Sequence, residues 1–388
     1  MINILLITGL HIEANNPNAQ CVKQIVDKLS DNQDVKLTVV SAVQGEKQIN
    51  CRWYDNLILS LKRLLYWPSV NPAIIKQRYR QALHVSEETA YDYVIGVHKP
   101  YEALYAAYKY KKRYPNVKMI IYELDPIVNS IDSKLGLGKY LSWLTRYSEQ
   151  RMYQKADCIF HMRCNQKQFS SDTYKSYEAK TEYLDFPLVI DDGHEQHGAC
   201  QYHGETISLV YSGMLDMLIR SPEYLLRVLE NLNQFTPIIA RFYCRGNCKE
   251  MLQQAQKRNS FLEVSDYIPK ADLDNVISKS DFLINISNKY SDMLPSKVLA
   301  YVSTGKPIIH ICNQENDACI PYFEKYENCV VLYEWDKIET SVQKLKAFIV
   351  SNYQRVISSK DVYSAFFENT PEYSADMIYN YCGTHLME

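Results

Sequence analysis

The sequence lacks any apolar run long enough to cross a membrane, and its amino terminus carries no secretion signal. The apolar run at residues 1–7 is too short for a membrane span and has the pattern of a buried strand. The cysteines number eleven, which is odd, and with the missing signal they indicate a reducing compartment. We therefore expect a cytoplasmic protein, with peripheral contact at the inner face of the membrane as an open alternative.

Charge of one sign is also missing. The formal net charge is −2, which argues against a general nucleic-acid binder, so we expect no nucleic-acid partner. Neither a G-x-G-x-x-G string nor a Walker P-loop is present, which argues against a dinucleotide or ATP site of the usual kind. We predict no cofactor.

Short apolar strands alternate with segments of helical periodicity along the whole chain, beginning with strands at Ile2 to Thr8 and Val35 to Val40. This order predicts an α/β fold, and 388 residues suit two Rossmann-like domains. The predicted limits are 1–190 for the first domain, 191–206 for a linker, 207–365 for the second domain, and 366–388 for a helix that returns to the first domain.

The stretch from 281 to 311 predicts one strand–helix–strand unit. Phe282 to Ile286 has the pattern of a buried strand, the helix begins near Pro295, and Gly305 ends it before a second strand. Its first turn contains Ser296 and Lys297 and no acid, although the free N–H groups of a first turn favour acids. A bound anion such as a diphosphate explains a lysine there, and an ordinary solvated lysine is the alternative.

The string Leu294-Pro-Ser-Lys-Val-Leu-Ala-Tyr, followed by Ser303-Thr-Gly-Lys-Pro-Ile-Ile, resembles the nucleotide-sugar-binding segment of family-4-like retaining glycosyltransferases from bacterial capsule and exopolysaccharide synthesis. The resemblance implies the GT-B fold, in which two Rossmann-like domains face each other across a cleft and a C-terminal helix crosses back to the first. It also implies that Ser296 and Lys297 hold the donor diphosphate and that Asp292 orients the donor sugar. Ala300 departs from the family, because it stands where an acid reads the ribose.

A second string, YSGMLDMLIRSPEYLL at residues 211–226, resembles the first turn of the donor domain in the same family. The resemblance implies that Gly213 lies beside the diphosphate and that Arg220 stands in for a phosphate-binding lysine. Met214 occupies the position of a second phosphate-binding cation, so that contact is lost. The backbone near Tyr267 corresponds to the segment that reads the base.

Three residues follow strands in the first half of the chain, where parallel sheets place their ligands. Gly9 permits close approach of a phosphate or forms a simple turn. His98 and Asp125 are candidates for the acceptor side of a catalytic site, and capping or turn roles are the alternatives.

Two further segments carry alternatives. Residues 51–84 combine aromatic side chains with lysines and arginines, which predicts contact with an anionic membrane surface or, alternatively, helix packing. The segment 191–204 contains a regularly spaced set of zinc-ligand types, although its spacing fits no common zinc pattern and a flexible loop is the preferred interpretation. The members of this set are His194, His197, Cys200 and His203.

These observations predict a glycosyltransferase that moves a sugar from a nucleoside-diphosphate sugar, with a UDP-sugar favoured, to a glycan or lipid-linked acceptor in surface polysaccharide synthesis. Lys297 and Arg220 would stabilise the leaving diphosphate without a metal, and the anomeric configuration would be retained. The alternatives are a catalytically degenerate partner of an active transferase, an inverting transferase, and a nucleotide-sugar epimerase.

Overall fold

The computed structural model describes residues 1–14, 16–43, 66–69, 71–128, 140–289, 294–295 and 297–384. The chain forms two compact units. The first contains Met1–Pro187 and Pro371–Glu388, and the second contains Leu188–Thr370. The predicted sites Asp292 and Ser296 and the predicted membrane segment at 51–65 lie outside the described residues.

The first unit is built on a six-stranded parallel sheet with the strand order β2-β1-β3-β4-β5-β6. The α/β prediction is confirmed. The strands are β1 (Ile2–Ile7), β2 (Val35–Val40), β3 (Tyr93–His98), β4 (Lys118–Glu123), β5 (Cys158–Met162) and β6 (Thr181–Leu184). The helices are α1 (Pro17–Asp31), α2 (Pro72–Val85), α3 (Tyr101–Arg113), α4 (Ser142–Lys155) and α5 (Gln166–Phe169), with 3-10 turns at Arg163–Asn165 and Lys175–Lys180.

Helix α1 shows why the sequence places its elements where it does. The side chain of Asn16 accepts a hydrogen bond from the amide of Ala19 at 2.9 Å, and Pro17 occupies the first turn, where its missing N–H costs nothing. Val22, Ile25 and Leu29 recur at helical spacing and are buried. The cap therefore fixes where α1 begins, and the apolar stripe fixes which face covers the sheet.

The second unit repeats the architecture with a six-stranded parallel sheet in the order β12-β11-β10-β7-β8-β9. Its strands are β7 (Ile207–Met214), β8 (Ile238–Arg245), β9 (Leu262–Ser265), β10 (Phe282–Ile286), β11 (Ile308–Cys312) and β12 (Cys329–Tyr333). Its helices are α6 (Glu223–Leu232), α7 (Lys249–Arg258), α8 (Lys270–Ser278), α9 (Lys297–Val302), α10 (Ile320–Lys325), α11 (Ile338–Asn352) and α12 (Ser359–Ala365), with a 3-10 turn at Phe367–Asn369.

The segment from 191 to 206 belongs to the second unit. The amide of His197 donates to the carbonyl of Val356 at 2.9 Å, and the amide of Val356 donates back to His197 at 2.8 Å. This exchange fastens the segment to the stretch that follows α11.

The last helix, α13 (Pro371–Thr384), packs on α1 within the first unit. Glu372 pairs with Lys28 of α1 at 2.8 Å, and the Tyr93 hydroxyl donates to the carbonyl of Cys382 at 2.8 Å. The predicted return of a C-terminal helix to the first half of the chain is therefore observed. Within the part of the chain that is described, no helix is both long enough and apolar enough to cross a bilayer.

Candidate functional site

The strand order of the second unit reverses between β7 and β10, which lie side by side in parallel register. Helices that leave neighbouring strands in opposite directions open a crevice beyond the carboxyl ends of those strands, and α/β proteins place ligands there. Gly213 lies near the end of β7, and Asn288 and Lys297 follow β10. This edge of the sheet is the candidate site.

Two cationic side chains converge on Gly213. A Cβ atom at this glycine would lie 3.7 Å from Lys297 Nζ and 3.9 Å from Arg220 Nη1, in ordinary van der Waals contact with both. The φ angle of Gly213 is +137°, a conformation that residues with a side chain rarely adopt. The glycine therefore keeps the backbone open at the point where the two charges meet.

Lys297 is half-buried and points across the end of β7. Its ammonium donates to the carbonyl of Ser212 at 3.3 Å and lies 3.5 Å from the ring centroid of Tyr211, close enough for a cation–π contact. Burial, and then the charge of Arg220, lower the pKa of Lys297 well below its usual value. The free site therefore holds this charge at a cost.

Arg220 is held by its neighbours. Its Nε and Nη2 donate to the same oxygen of Asn288 at 3.1 and 2.6 Å, and its Nη1 donates to the carbonyl of Met214 at 3.2 Å. The loop that carries Arg220 is fixed by Asp216, whose carbonyl accepts from the Arg220 amide at 2.7 Å. The guanidinium is thus oriented before any ligand arrives.

Neither cation has a carboxylate partner among the residues that the structure describes. Like charges gathered in a half-buried place repel each other, and an anion between them would relieve both the repulsion and the cost of burial. A diphosphate supplies several charged oxygens within reach of both groups. The arrangement is therefore chemically suited to anion binding.

The remaining predicted donor residues lie around this centre. Tyr267 follows β9 and is exposed, with Arg245 Cζ 5.1 Å from its ring centroid. Ala300 is exposed on α9, and the side chain of Met214 is half exposed. Their roles at a donor site stay predictions, as do those of Gly213, Arg220 and Lys297.

In the first unit, the structure brings the three predicted residues to the carboxyl edge of the sheet. The strand order reverses between β1 and β3, so Gly9 and His98 flank the second crevice of this kind. His98 Nδ1 donates to the carbonyl of Asp125 at 2.6 Å. A Cβ atom at Gly9 would lie 2.3 Å from Pro100 Cγ, so close packing alone requires a glycine there.

Two buried carboxyl groups beside this edge escaped the sequence-based prediction. Glu123 ends β4, and its carboxylate accepts from the amide of Ile127 at 3.0 Å and from the hydroxyl of Tyr153. Glu149 accepts from the Tyr174 hydroxyl at 2.9 Å. Burial, and then the nearby Glu149, raise the pKa of Glu123 well above its usual value, and burial raises the pKa of Glu149 to about 7.

One group of described residues offers three metal-ligand atoms within 4.8 Å of one another: His310, Cys312 and Asp317. Here the Nε2 of His310 and the Oδ2 of Asp317 lie 2.7 Å apart, and Asp317 also accepts from the amide of Cys319 at 2.9 Å. Burial raises the pKa of Asp317, but the bond from His310 outweighs it, so the net shift is downward. The four zinc-ligand types between 194 and 203, all of them described residues, form no such group.

The sequence-based prediction also missed the partners of the two cations. Tyr301 lies one helical turn after Lys297, and its hydroxyl accepts from the amide of Ser212 at 3.1 Å. Asn288 follows the end of β10, the place where a switch point puts functional side chains. Spacing along α9 and the switch-point rule were the available signals.

Comparisons with known proteins identify the fold. The sequence matches no protein-family model and no curated protein. In structure it is similar to S. aureus MnaA in complex with UDP, with 14% identity, a TM-score of 0.53, and 100% of this chain and 97% of that one covered. UDP-GlcNAc 2-epimerase from Neisseria meningitidis bound to UDP-GlcNAc gives 10% identity and a TM-score of 0.53, with coverage of 98% and 99%. The N-terminal domain of trehalose-6-phosphate phosphatase from Candida albicans gives 11% and 0.58, with coverage of 99% and 98%. The chain has the GT-B type of α/β fold.

Proposed function

We propose that the second unit binds a nucleoside-diphosphate sugar at Gly213, Arg220 and Lys297, and that the protein transfers the sugar to a glycan or lipid-linked acceptor. The observation that carries the proposal is the convergence of two cations on a glycine at the sheet switch point, with no described carboxylate between them. The fold that the chain shares with structures containing UDP or UDP-GlcNAc supports the choice of a uridine nucleotide.

The chemistry follows from the charges. When the bond between the sugar and the diphosphate breaks, negative charge grows on the leaving phosphate oxygens. Lys297 and Arg220 are already oriented toward that position, and preorganised charges stabilise a transition state without reorganisation cost. In this proposal Ser296 and Asp292 complete the donor contacts, Tyr267 lies at the base, and the reaction proceeds with retention and without a metal.

The first unit would bind the acceptor. Gly9, His98 and Asp125 lie at the carboxyl edge of its sheet, and His98 is oriented by its bond to the Asp125 carbonyl. A histidine held in this way presents its second nitrogen in a defined direction, which suits a contact with a reacting hydroxyl. This role belongs to the same proposal.

Calorimetric titration with UDP, GDP and dTDP tests the donor site. We expect UDP to bind, and Lys297→Ala to weaken that binding about ten- to a hundredfold, because a charge-assisted phosphate contact is worth roughly 1.5–3 kcal/mol. Lys306→Ala is the matched control, since Lys306 is another half-buried lysine whose ammonium donates to a backbone carbonyl, that of Ser280 at 2.7 Å. Equal losses in both variants, or no binding by the native protein, would contradict the assignment.

Epimerisation of a UDP-sugar is the second candidate, because UDP-GlcNAc 2-epimerase structures share the fold over the whole chain. The same donor site serves both reactions. Incubation with isotope-labelled UDP-sugars, followed by NMR, distinguishes them: an epimerase changes the sugar without an acceptor, whereas a transferase releases UDP and reports the anomeric configuration of its product. Nucleotide binding without any turnover would favour the degenerate partner.

A further inference from the structure

The helices α2, α3 and α4 concentrate positive charge on one part of the first unit. Together they contain ten lysines and arginines and only two acids, Glu102 and Glu149, both of which are buried. The whole chain has slightly more acids than bases, so this excess is local. The three helices pack side by side, α2 on α3 and α3 on α4.

Large aromatic side chains stand in solvent on the same part of the unit. Tyr140, Trp143 and Tyr147 are 77%, 66% and 54% exposed, and their spacing of three and then four residues places them on one face of α4 and of the turn before it. We call these three residues the aromatic stripe. A stripe of this kind covers none of the core of its own unit, so its apolar surface is open to a partner.

Cations and aromatic rings alternate from α2 to α4. Lys109 Nζ lies 4.8 Å from the ring centroid of Tyr79, and Lys112 Nζ lies 5.8 Å from that of Tyr108. Arg151 Cζ lies 5.6 Å from Tyr108 and 5.5 Å from Tyr147. The contacts therefore join the charged ends of α3 to the aromatic stripe as one surface.

We infer that this surface docks on an anionic lipid bilayer. Indole and phenol rings partition to the boundary between headgroups and acyl chains, while lysine and arginine are attracted to anionic headgroups. Charge complementarity thus selects an anionic partner, and the exposed apolar rings select one with an apolar interior. Nucleic acid offers the charge without the acyl chains, and a neutral glycan offers neither.

The inference deepens the proposed function, because it gives the acceptor a place at the membrane, but its evidence lies in different residues from the donor site. It also relocates the membrane contact expected from residues 51–84. In the described part of that segment, Lys76 and Arg80 are exposed, whereas Arg78 is buried and was wrongly counted in the basic surface. The exposed contact belongs mainly to α3 and α4.

Vesicle sedimentation tests the inference. We expect the native protein to sediment with vesicles of phosphatidylcholine and phosphatidylglycerol at low salt, and much less at high salt or with phosphatidylcholine alone. Replacing Lys112, Arg113 and Arg146 together by glutamine should weaken binding about a hundredfold, at roughly 1 kcal/mol per charge. Trp143→Ser with Tyr147→Ser should weaken it too, with less dependence on salt because no charge is lost.

Matched variants of the second unit serve as controls. Lys257, Arg258 and Lys279 are exposed cations, and Trp335 is an exposed tryptophan; replacing them by glutamine and serine should leave sedimentation unchanged. Thermal unfolding of each variant shows that its fold persists. Absence of native binding to anionic vesicles, equal losses in the controls, or tighter binding to RNA than to vesicles would overturn the inference. UDP titration of the same samples keeps the two proposals separate, since the vesicle variants should retain native UDP affinity.

Discussion

Arg220 owes its orientation to Asn288, whose side-chain oxygen accepts from both Nε and Nη2. We expect Asn288→Ala to weaken UDP binding about tenfold, because the guanidinium then loses its fixed direction and one net hydrogen bond is worth roughly 1 kcal/mol. Asn288→Asp should cost more, since a carboxylate would pair with Arg220 and compete with the phosphate. Calorimetry on both variants checks the order, and native UDP affinity in the carboxylate variant would contradict it.

The depressed pKa of Lys297 makes UDP binding pH-dependent. Between that depressed pKa and 10.5 the unfolded chain binds a proton that the free folded protein lacks, so the stability of the free protein rises with pH in this window. A bound diphosphate restores the proton, so we expect UDP affinity to fall as pH rises through the same window. Titration in buffers of different ionisation enthalpy measures the proton uptake. Lys297→Arg keeps its charge and should remove the pH dependence; a dependence that persists in this variant points to another group.

At the scale of elements, local sequence predicted the strands well. Val35–Val40, Phe282–Ile286 and Cys329–Tyr333 have the bounds expected from their apolar runs. A strand buried on both faces needs a continuous apolar run, and that requirement is written into neighbouring residues. The observed GT-B fold follows from the repeated alternation of such strands with helices.

Contacts between distant residues were much less predictable. Helix α9 ends at Val302 and not near Thr304, and Tyr301 bonds to Ser212, which is 89 residues away. The buried pair of His310 and Asp317 and the carboxyl groups of Glu123 and Glu149 depend on which loops meet after folding. Local patterns carry no information about such meetings, so sequence identified the two cations but not the side chains that hold them.

The turn from α9 into β11 depends on Gly305. Its φ is +68°, and a Cβ atom there would lie 2.1 Å from the carbonyl oxygen of Ile357. We expect Gly305→Ala to lower the free energy of unfolding by about 1–3 kcal/mol, because both the backbone conformation and the close approach exclude a side chain. Gly198→Ala is the control, since a Cβ at Gly198 meets nothing within 4 Å. Urea unfolding should separate the two variants, and equal stabilities would contradict the role given to this turn.

At the scale of the whole molecule, the two units should respond to different variables, the second to nucleotide and the first to pH. The pKa of Glu149 is about 7 in the folded protein against 4.5 ordinarily. Between these values the folded state keeps a proton that the unfolded state loses, so stability falls as pH rises, by on the order of 3 kcal/mol, and is then constant above pH 7.

Denaturant unfolding at several pH values measures this fall. Glu149→Gln should reduce it, because the amide does not titrate, whereas Glu250→Gln on the exposed surface of α7 should leave it unchanged. A native protein whose stability does not change between pH 4.5 and 7 would show that the raised pKa is not expressed in folding.

The chain leaves the first unit at Pro187 and returns to it at Pro371, so in sequence the second unit is an insertion into the first. A polypeptide emerges from the ribosome in order, and domains generally fold as units once their residues are available. All residues of the second unit are synthesised before α13, the helix that packs on α1 and carries Ile378 into the core. The part that begins first is therefore completed last, and until α13 arrives the growing chain carries an uncovered apolar face on α1.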